Sequence, residues 1–567
     1  MELSFIWVEE FNSLENFSLN LSNKFHYKYD HETNFLSRID DDPLPKNFFG
    51  HGITSVTGIF GKNGSGKTNC LKLIGSVMSR ARSRVKSDFI AIVEDDDGPA
   101  IYCKFKEKSR LAPKTDFQGR FEEYKDDIRG LNTVFLSNTF DSTDMGFDKK
   151  IINLSINNRG RNVNEFIDIV EFLSSKEVGD GFTVPTEISA VVKPIRTKDI
   201  RKLIEDIQPK LDKSNSEQVD LLIKGFDRCF SKINSNFRKG GDFNDIKLSI
   251  VINEIISTFG EICKKEIDPI HVLRNLEDVL YCIQEHNTSI SSLISSLRAI
   301  VELIDYNHND KSKNDKLKGY KPEKITISNL IENVQFLDDW TVNDFNEVFQ
   351  VADISYSSVS GFKLNLTAKY YTDDIRYKLS ILSKYAKLTF LDMSSGQKAI
   401  LGILSSIYVQ VKSKRNATLI MLDEADLYLH PEWQLLFMKK MIEILSSLNR
   451  SDVQIIVTSH SPLIMTDFPQ RCLVLLENIN KATIIKSNSF NPFGANLYDL
   501  YSQGFFLDKS KVGALAFEKI MSLLGEIKNN PSGKPLSQDF YLTLDLISDE
   551  VSKTEIKRLT KEYDQNI

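Results

Sequence analysis

The spacing of apolar positions changes character twice along the chain. Over roughly the first 150 residues, Leu3–Val8 alternates loosely, Ile53–Phe60 is a β-branched run ending at glycine, and Val134–Leu136 is a short apolar run. Each predicts a strand. Phe89–Val93 and Ala100–Phe105 flank the acidic turn Glu94-Asp95-Asp96-Asp97-Gly98, which predicts a hairpin, and one helix is predicted from Thr68 to about Ser83. From about 151 to 355 the period becomes that of a helix. Ile252, Ile255, Ile256, Phe259 and Ile262 carry it, as do Val272, Leu273, Leu276, Val279, Leu280 and Ile283. Ile290, Leu293, Ile294, Leu297, Ile300, Val301 and Ile304 form a third such series, too short for a coiled coil.

After about 360 strands and helices alternate: strand Lys363–Thr367, helix Lys398–Lys412, strand Thr418–Leu422, helix Trp433–Leu448 and strand Val453–Val457. A β-hairpin is predicted over Leu473–Ile485, and the last 65 or so residues read as mainly helical. The fold class is therefore α/β. The organisation expected is an N-terminal lobe over 1–150, a large helical insertion over 151–355, a second lobe over 356–500 and a helical tail over 501–567.

Composition narrows the class. Of 567 residues 41% are apolar and 26% charged, which excludes a disordered or collagen-like chain. Lys and Arg number 72 against 78 Asp and Glu, so nucleic acid is expected only through a local patch or a complex. The six cysteines are scattered without a C-x-x-C pair, which suits a reducing compartment and suggests neither disulfides nor zinc. No secretory leader pattern and no apolar run near ~20 residues is visible. The expectation is a soluble, cytoplasmic protein with no membrane association.

The chemistry begins at Gly61-Lys62-Asn63-Gly64-Ser65-Gly66-Lys67-Thr68, which satisfies G-x-x-x-x-G-K-[ST] between a predicted strand and a predicted helix. Its glycines let backbone N–H groups turn inward at a helix N-terminus, where phosphate is favoured. Lys67 is expected to reach the β- and γ-phosphates of ATP, and the Thr68 hydroxyl to ligate Mg²⁺. Asn63, Ser65 and Asn69 complete the candidate ATP-binding segment.

A second cluster lies 356 residues beyond Lys67, where the apolar strand Thr418–Leu422 runs into Asp423-Glu424. The carboxyl end of such a strand opens into the crevice where α/β sheets bind ligands. Asp423 is expected to hold Mg²⁺ and Glu424 to orient and deprotonate the attacking water. His460 follows another buried strand at its carboxyl end, within Ser459-His460-Ser461-Pro462, and is read as a sensor of the γ-phosphate. Helices inserted between two halves of one site account for the long separation. Ser394-Ser395-Gly396-Gln397, before a long apolar helix, is a further anion turn. One protomer has no use for two such turns unless a second copy supplies the other half of each site.

Together the phosphate loop, the S-S-G-Q turn, L-D-E-A-D followed by L-H-P, and S-H-S-P resemble the ABC-type ATPases, specifically the RecF/SMC-like branch and the overcoming-lysogenization-defect relatives. The resemblance implies a P-loop head with a mixed sheet, and a homodimer or higher oligomer closing head to tail on two ATP molecules. It also implies that Ser394 and Gly396 contact the nucleotide of the partner copy. The family's metal-contacting glutamine is not matched. Val134-Phe135-Leu136-Ser137-Asn138 stands in its place, and Asn138 is its candidate replacement.

The stretch Asn491-Pro492-Phe493-Gly494-Ala495-Asn496-Leu497-Tyr498-Asp499-Leu500, followed by Gly504–Leu507, resembles, with the opening Phe5–Phe11 and the tail, the Septu anti-phage ATPases (PtuA) found also beside retrons. That similarity implies a separate HNH nuclease partner of the PtuB kind, and near retrons a reverse transcriptase with its RNA–DNA product. A Toprim nuclease on this chain is not expected: Glu477 ends a strand, but no Asp-x-Asp follows in the 107 residues after His460. Arg80, Arg82, Arg84 and Lys86 read as the cationic end of the first helix. The lysine-rich stretch 307–324 reads as a solvated loop, with a phosphate-backbone contact as its alternative. The rival function is a DNA-repair ATPase that clamps DNA directly.

Overall fold

The computed structural model describes the chain except for residues 41–43, 80–84, 107–111, 126–127, 140–144, 149, 156–164, 176–183, 194–196, 208–215, 238–242, 266–268, 286–289, 292, 300–326, 333, 336–349, 358–360, 369–370, 415, 449–451, 487–490, 497–499, 501–512, 530–533 and 566–567. The lysine-rich stretch, Arg80, Arg82, Arg84 and Gly504–Leu507 lie outside the described residues. Contacts divide the chain into Met1–Asn158 with Ser413–Ile567, and Arg159–Lys412.

The first unit is built on a twelve-stranded mixed sheet. Six of its strands run parallel in the order Ile151–Asn153, Asn132–Ser137, Thr418–Asp423, Val453–Ser459, Ile53–Gly61 and Leu473–Ile479. The residues of Thr418–Asp423 and Val453–Ser459 are buried throughout, which is why both read in sequence as continuous apolar runs. The sheet continues through Ala482–Ile485, Leu14–Asn20, Glu2–Phe11, Phe89–Asp95, Gly98–Lys104 and Arg120–Glu123. The predicted hairpin about Glu94–Gly98 is present, with Glu94 opposite Pro99 and Asp95 opposite Gly98.

The helix Lys67–Met78 lays Cys70, Leu71, Leu73, Ile74 and Val77 into a core shared with Ile59, Phe135, Met421 and Ile456 of the sheet. It ends earlier than the pattern predicts. The Ser79 backbone is extended, and both its N–H and its hydroxyl donate to Gly75 O, which satisfies the helix end. Lys86 therefore lies beyond the helix it was expected to cap. Gln454, fully buried, ties the parallel strands to the N-terminal ones by accepting from Leu3 N at 2.9 Å and donating to Leu3 O at 2.8 Å.

The second unit contains the expected helices, among them Ser216–Phe237, Phe243–Lys265 and Pro269–Glu285. Ile252, Ile255, Phe259, Leu273, Leu276 and Leu280 are buried, as their helical spacing requires. It also carries an antiparallel sheet in the order Gln350–Ser357, Gly361–Thr367, Glu187–Val192, Ala386–Phe390. Two of those strands fall in the stretch that the pattern assigns to helices alone. In the tail, Ala514–Asn529, Gln538–Asp545 and Glu550–Gln565 are helical and share a small core of Leu523, Phe540, Leu544 and Ile556.

Candidate functional site

The phosphate loop connects the strand Ile53–Gly61 to the helix Lys67–Met78. Its geometry requires glycine at two points. Gly64 has φ +77° and Gly66 φ +103°, in the left-handed region that side chains disfavour. Gly66 is the N-cap, no side chain caps it, and the first turn holds no acidic residue. The N-terminal N–H groups of the helix are thus not taken up by an acidic side chain of its own first turn.

Lys67 is buried at 5% exposure. Its ammonium folds back to donate to Gly61 O at 3.0 Å and Lys62 O at 3.3 Å, and stands 3.5 Å from Glu424 Oε1. Thr68 Oγ1 donates to Asp423 Oδ2 at 3.5 Å. Two motifs 355 residues apart meet here because Thr418–Asp423 and Ile53–Gly61 both flank Val453–Ser459. The hydroxyl of Thr68 and the carboxylate of Asp423 are hard oxygen donors of the kind that suits Mg²⁺.

Glu424 follows directly on its strand with φ +47°, so the chain turns sharply and the carboxylate departs from the line of the buried run. His460 Nδ1 lies 3.4 Å from Glu424 Oε1 but out of hydrogen-bonding alignment, so the contact is ionic when the ring is protonated. The approach of His460 holds the Glu424 carboxyl below its ordinary range against the opposing effect of burial, and Lys67 adds to this. In return Glu424 raises His460.

Asn138 sits at the end of the strand beside Asp423, 4% exposed, with its N–H donating to Asp423 O at 3.3 Å. Its side-chain amide donates to Leu427 O at 2.7 Å, bracing the loop after the two carboxylates. In the second unit, Ser394 and Gln397 form a reciprocal cap of the helix Ser395–Ser413: Gln397 N donates to Ser394 Oγ at 3.3 Å, and Ser394 N donates to Gln397 Oε1 at 2.9 Å. Ser394 and Ser395 are exposed, and Gly396 is half-buried.

A family model described as AAA ATPase domain matches residues 1–465. The chain belongs to that family. Among curated proteins, it is 23% identical over 154 residues to the retron Vc95 probable ATPase of Vibrio cholerae serotype O1 biovar El Tor, covering 26% of this chain and 28% of that one. It is 23% identical over 212 residues to the retron Ec83 probable ATPase of Escherichia coli, covering 34% and 36%. Protein ea59 of Escherichia phage lambda matches over 123 residues at 29% identity, covering 22% of each chain. The chain thus spans between about a fifth and about a third of the length of these relatives. A solved structure of the recombination mediator protein RecF with ATPγS in the RecFOR pathway aligns over 86% of this chain and 98% of its own, at 11% identity and a TM-score of 0.22.

Within this ATPase domain, sequence reasoning overlooked Thr458. Its hydroxyl donates to Asp423 Oδ1 at 2.6 Å and accepts from Glu424 N at 3.3 Å, so one side chain positions both acidic residues. Asp426, 3% exposed, was not singled out either. It accepts from Ser459 Oγ at 2.9 Å, and burial pushes its carboxyl above the ordinary range. Asp426 stands in the quoted L-D-E-A-D motif and Thr458 lies between the predicted strand Val453–Val457 and Ser459, but only the pairing of Asp423 with Thr458 across neighbouring strands gives the threonine a role. No helix among the described residues is long and apolar enough to cross a membrane.

Proposed function

We propose that this chain is an ATP-hydrolysing switch of the ABC type in a bacterial anti-phage system, and that it governs a separate HNH nuclease. The observation that carries the enzymatic part is the convergence of Lys67, Thr68, Asp423, Glu424 and His460 at the carboxyl ends of adjacent parallel strands. Incoming triphosphate replaces the Gly61 and Lys62 carbonyls as the partner of Lys67. Glu424, freed from that ammonium, takes a proton from water as its oxygen attacks the γ-phosphorus. The bond to the bridging oxygen breaks, and ADP and phosphate are the products. His460 steadies the Glu424 carboxylate and faces the γ-phosphate. Mg²⁺, held by Thr68 and Asp423, would neutralise charge on the β- and γ-oxygens.

Dimerisation is part of the proposal. Ser394 and Gly396, with Ser395 and Gln397 shaping the turn, complete the site of a second copy, and opening after hydrolysis releases or engages the effector. Similarity to the retron probable ATPases supports placing the system beside a reverse transcriptase and its RNA–DNA product. The deciding experiment is Glu424→Gln. ATP binding is retained, the dimer persists, and turnover falls at least about a hundredfold. Turnover equal to wild type removes Glu424 from the reaction.

A further inference from the structure

The strands Leu473–Ile479 and Ala482–Ile485 form a tight hairpin whose connecting residues Asn480 and Lys481 both have positive φ, at 53° and 71°. Two-residue turns of that hand match the twist of paired strands and fix the register. Leu473–Ile479 also runs parallel to the phosphate-loop strand, with Leu476 beside Gly61. The register then places Asn478 opposite Thr483, so both side chains point to one face of the hairpin.

That face holds the phosphate loop from outside. Asn478 accepts from Lys481 N at 3.1 Å through Oδ1 and donates to Gly64 O at 3.1 Å through Nδ2. Using both ends of its amide fixes the side chain's orientation. Thr483, 2% exposed, packs on Gly66 so closely that a Cβ there would meet its Oγ1 at 2.3 Å. The Thr483 hydroxyl pairs with Ser13 Oγ at 2.8 Å, and Ser13 Oγ accepts from Asn69 Nδ2, also at 2.8 Å. The loop is thereby anchored at Gly64, Gly66 and Asn69, on either side of Lys67.

We infer that Asn478 and Thr483 are positioning residues for nucleotide: they hold the backbone N–H array of the phosphate loop in its binding shape before ATP arrives. The inference rests on the reading of Gly61–Thr68 as the ATP loop. Neither side chain reaches the acidic residues in the described contacts, so their effect falls on affinity rather than on the chemical step. Preorganisation of this kind reduces the ordering cost of binding.

The test uses the full chain with a fluorescent ATP analogue for Kd and phosphate release for kcat, on Asn478→Ala, Thr483→Val and Thr483→Ser. Asn478→Ala and Thr483→Val are expected to weaken Kd about fivefold or more, with kcat within about twofold of wild type. Thr483→Ser, which keeps the hydroxyl, is expected to restore wild-type affinity. Lys67→Ala serves as the control. If it binds nucleotide as wild type does, the underlying reading of the loop fails. If it abolishes binding while Asn478→Ala and Thr483→Val bind normally, the positioning role is overturned. A loss confined to kcat in those two variants overturns it equally.

Discussion

Lys67 Nζ and Glu424 Oε1 stand 3.5 Å apart as an ion pair. The lysine that would hold the β- and γ-phosphates thus also shields the residue that would take up the water's proton. In the proposed reaction triphosphate would draw Lys67 away from Glu424, so that binding and activation of the base would be one event. Lys67→Ala is expected to abolish measurable ATP binding by titration calorimetry. It also leaves Glu424 with His460 as its remaining ionic neighbour of the two, so tight binding by this variant would separate Lys67 from the phosphates.

Thr458→Val keeps the shape of the side chain and removes the hydroxyl that touches Asp423 Oδ1 and Glu424 N. A hydrogen bond to a charged group, combined with displaced acidic residues, is expected to lower turnover about tenfold to a hundredfold. Phosphate release at saturating ATP measures this. Unchanged turnover would mean that the neighbouring strands alone hold the carboxylates.

The Glu424–His460 pair sets a pH window. Glu424 is lowered from an ordinary 4.5, so its contribution is present above that pH and is lost as pH falls through the lowered value. His460 is raised from 6.5, so its contribution is complete below 6.5 and is lost as pH rises through the raised value. The two overlap between pH 4.5 and 6.5. Because His460 is 41% exposed, the effect is expected to be a few tenths of a kcal/mol. Without nucleotide, the Tm difference between wild type and His460→Gln is expected to be largest near pH 5.5 and to shrink by pH 9. A difference that grows with pH contradicts the assignment.

The two loop glycines are expected to respond differently to alanine. Gly66→Ala places a Cβ against Thr483 at a φ of +103°, and a loss of about 1–3 kcal/mol is expected from urea unfolding. Gly64→Ala meets nothing within 4 Å, so only the cost of its positive φ remains, about 1 kcal/mol. Equal losses would deny Thr483 its place against the loop.

Ser394→Arg tests the dimer. On a Glu424→Gln background, sedimentation with ATP is expected to show the dimer lost while each monomer still binds nucleotide. Part of any stability change is the lost cap bond from Gln397 N to Ser394 Oγ, about 1 kcal/mol, which Ser394→Ala reports separately.

The sequence alone determined the α/β class, the strand and helix on either side of the phosphate loop, and the buried strand that ends at Asp423. These depend on local periodicity and on glycines at fixed offsets, which neighbouring residues in the chain express directly. Tertiary structure alone decided that Thr458 would serve Asp423, that Asn138 would brace the loop at Leu427, and that Asn478 and Thr483 would grip Gly64 and Gly66. Each of those contacts depends on which strands lie side by side and in what register, across a separation of 414 positions in the case of Asn478 and Gly64. A threonine or asparagine carries the same local pattern whether it faces water or a carboxylate. Its role appears only when long-range pairing chooses its neighbour.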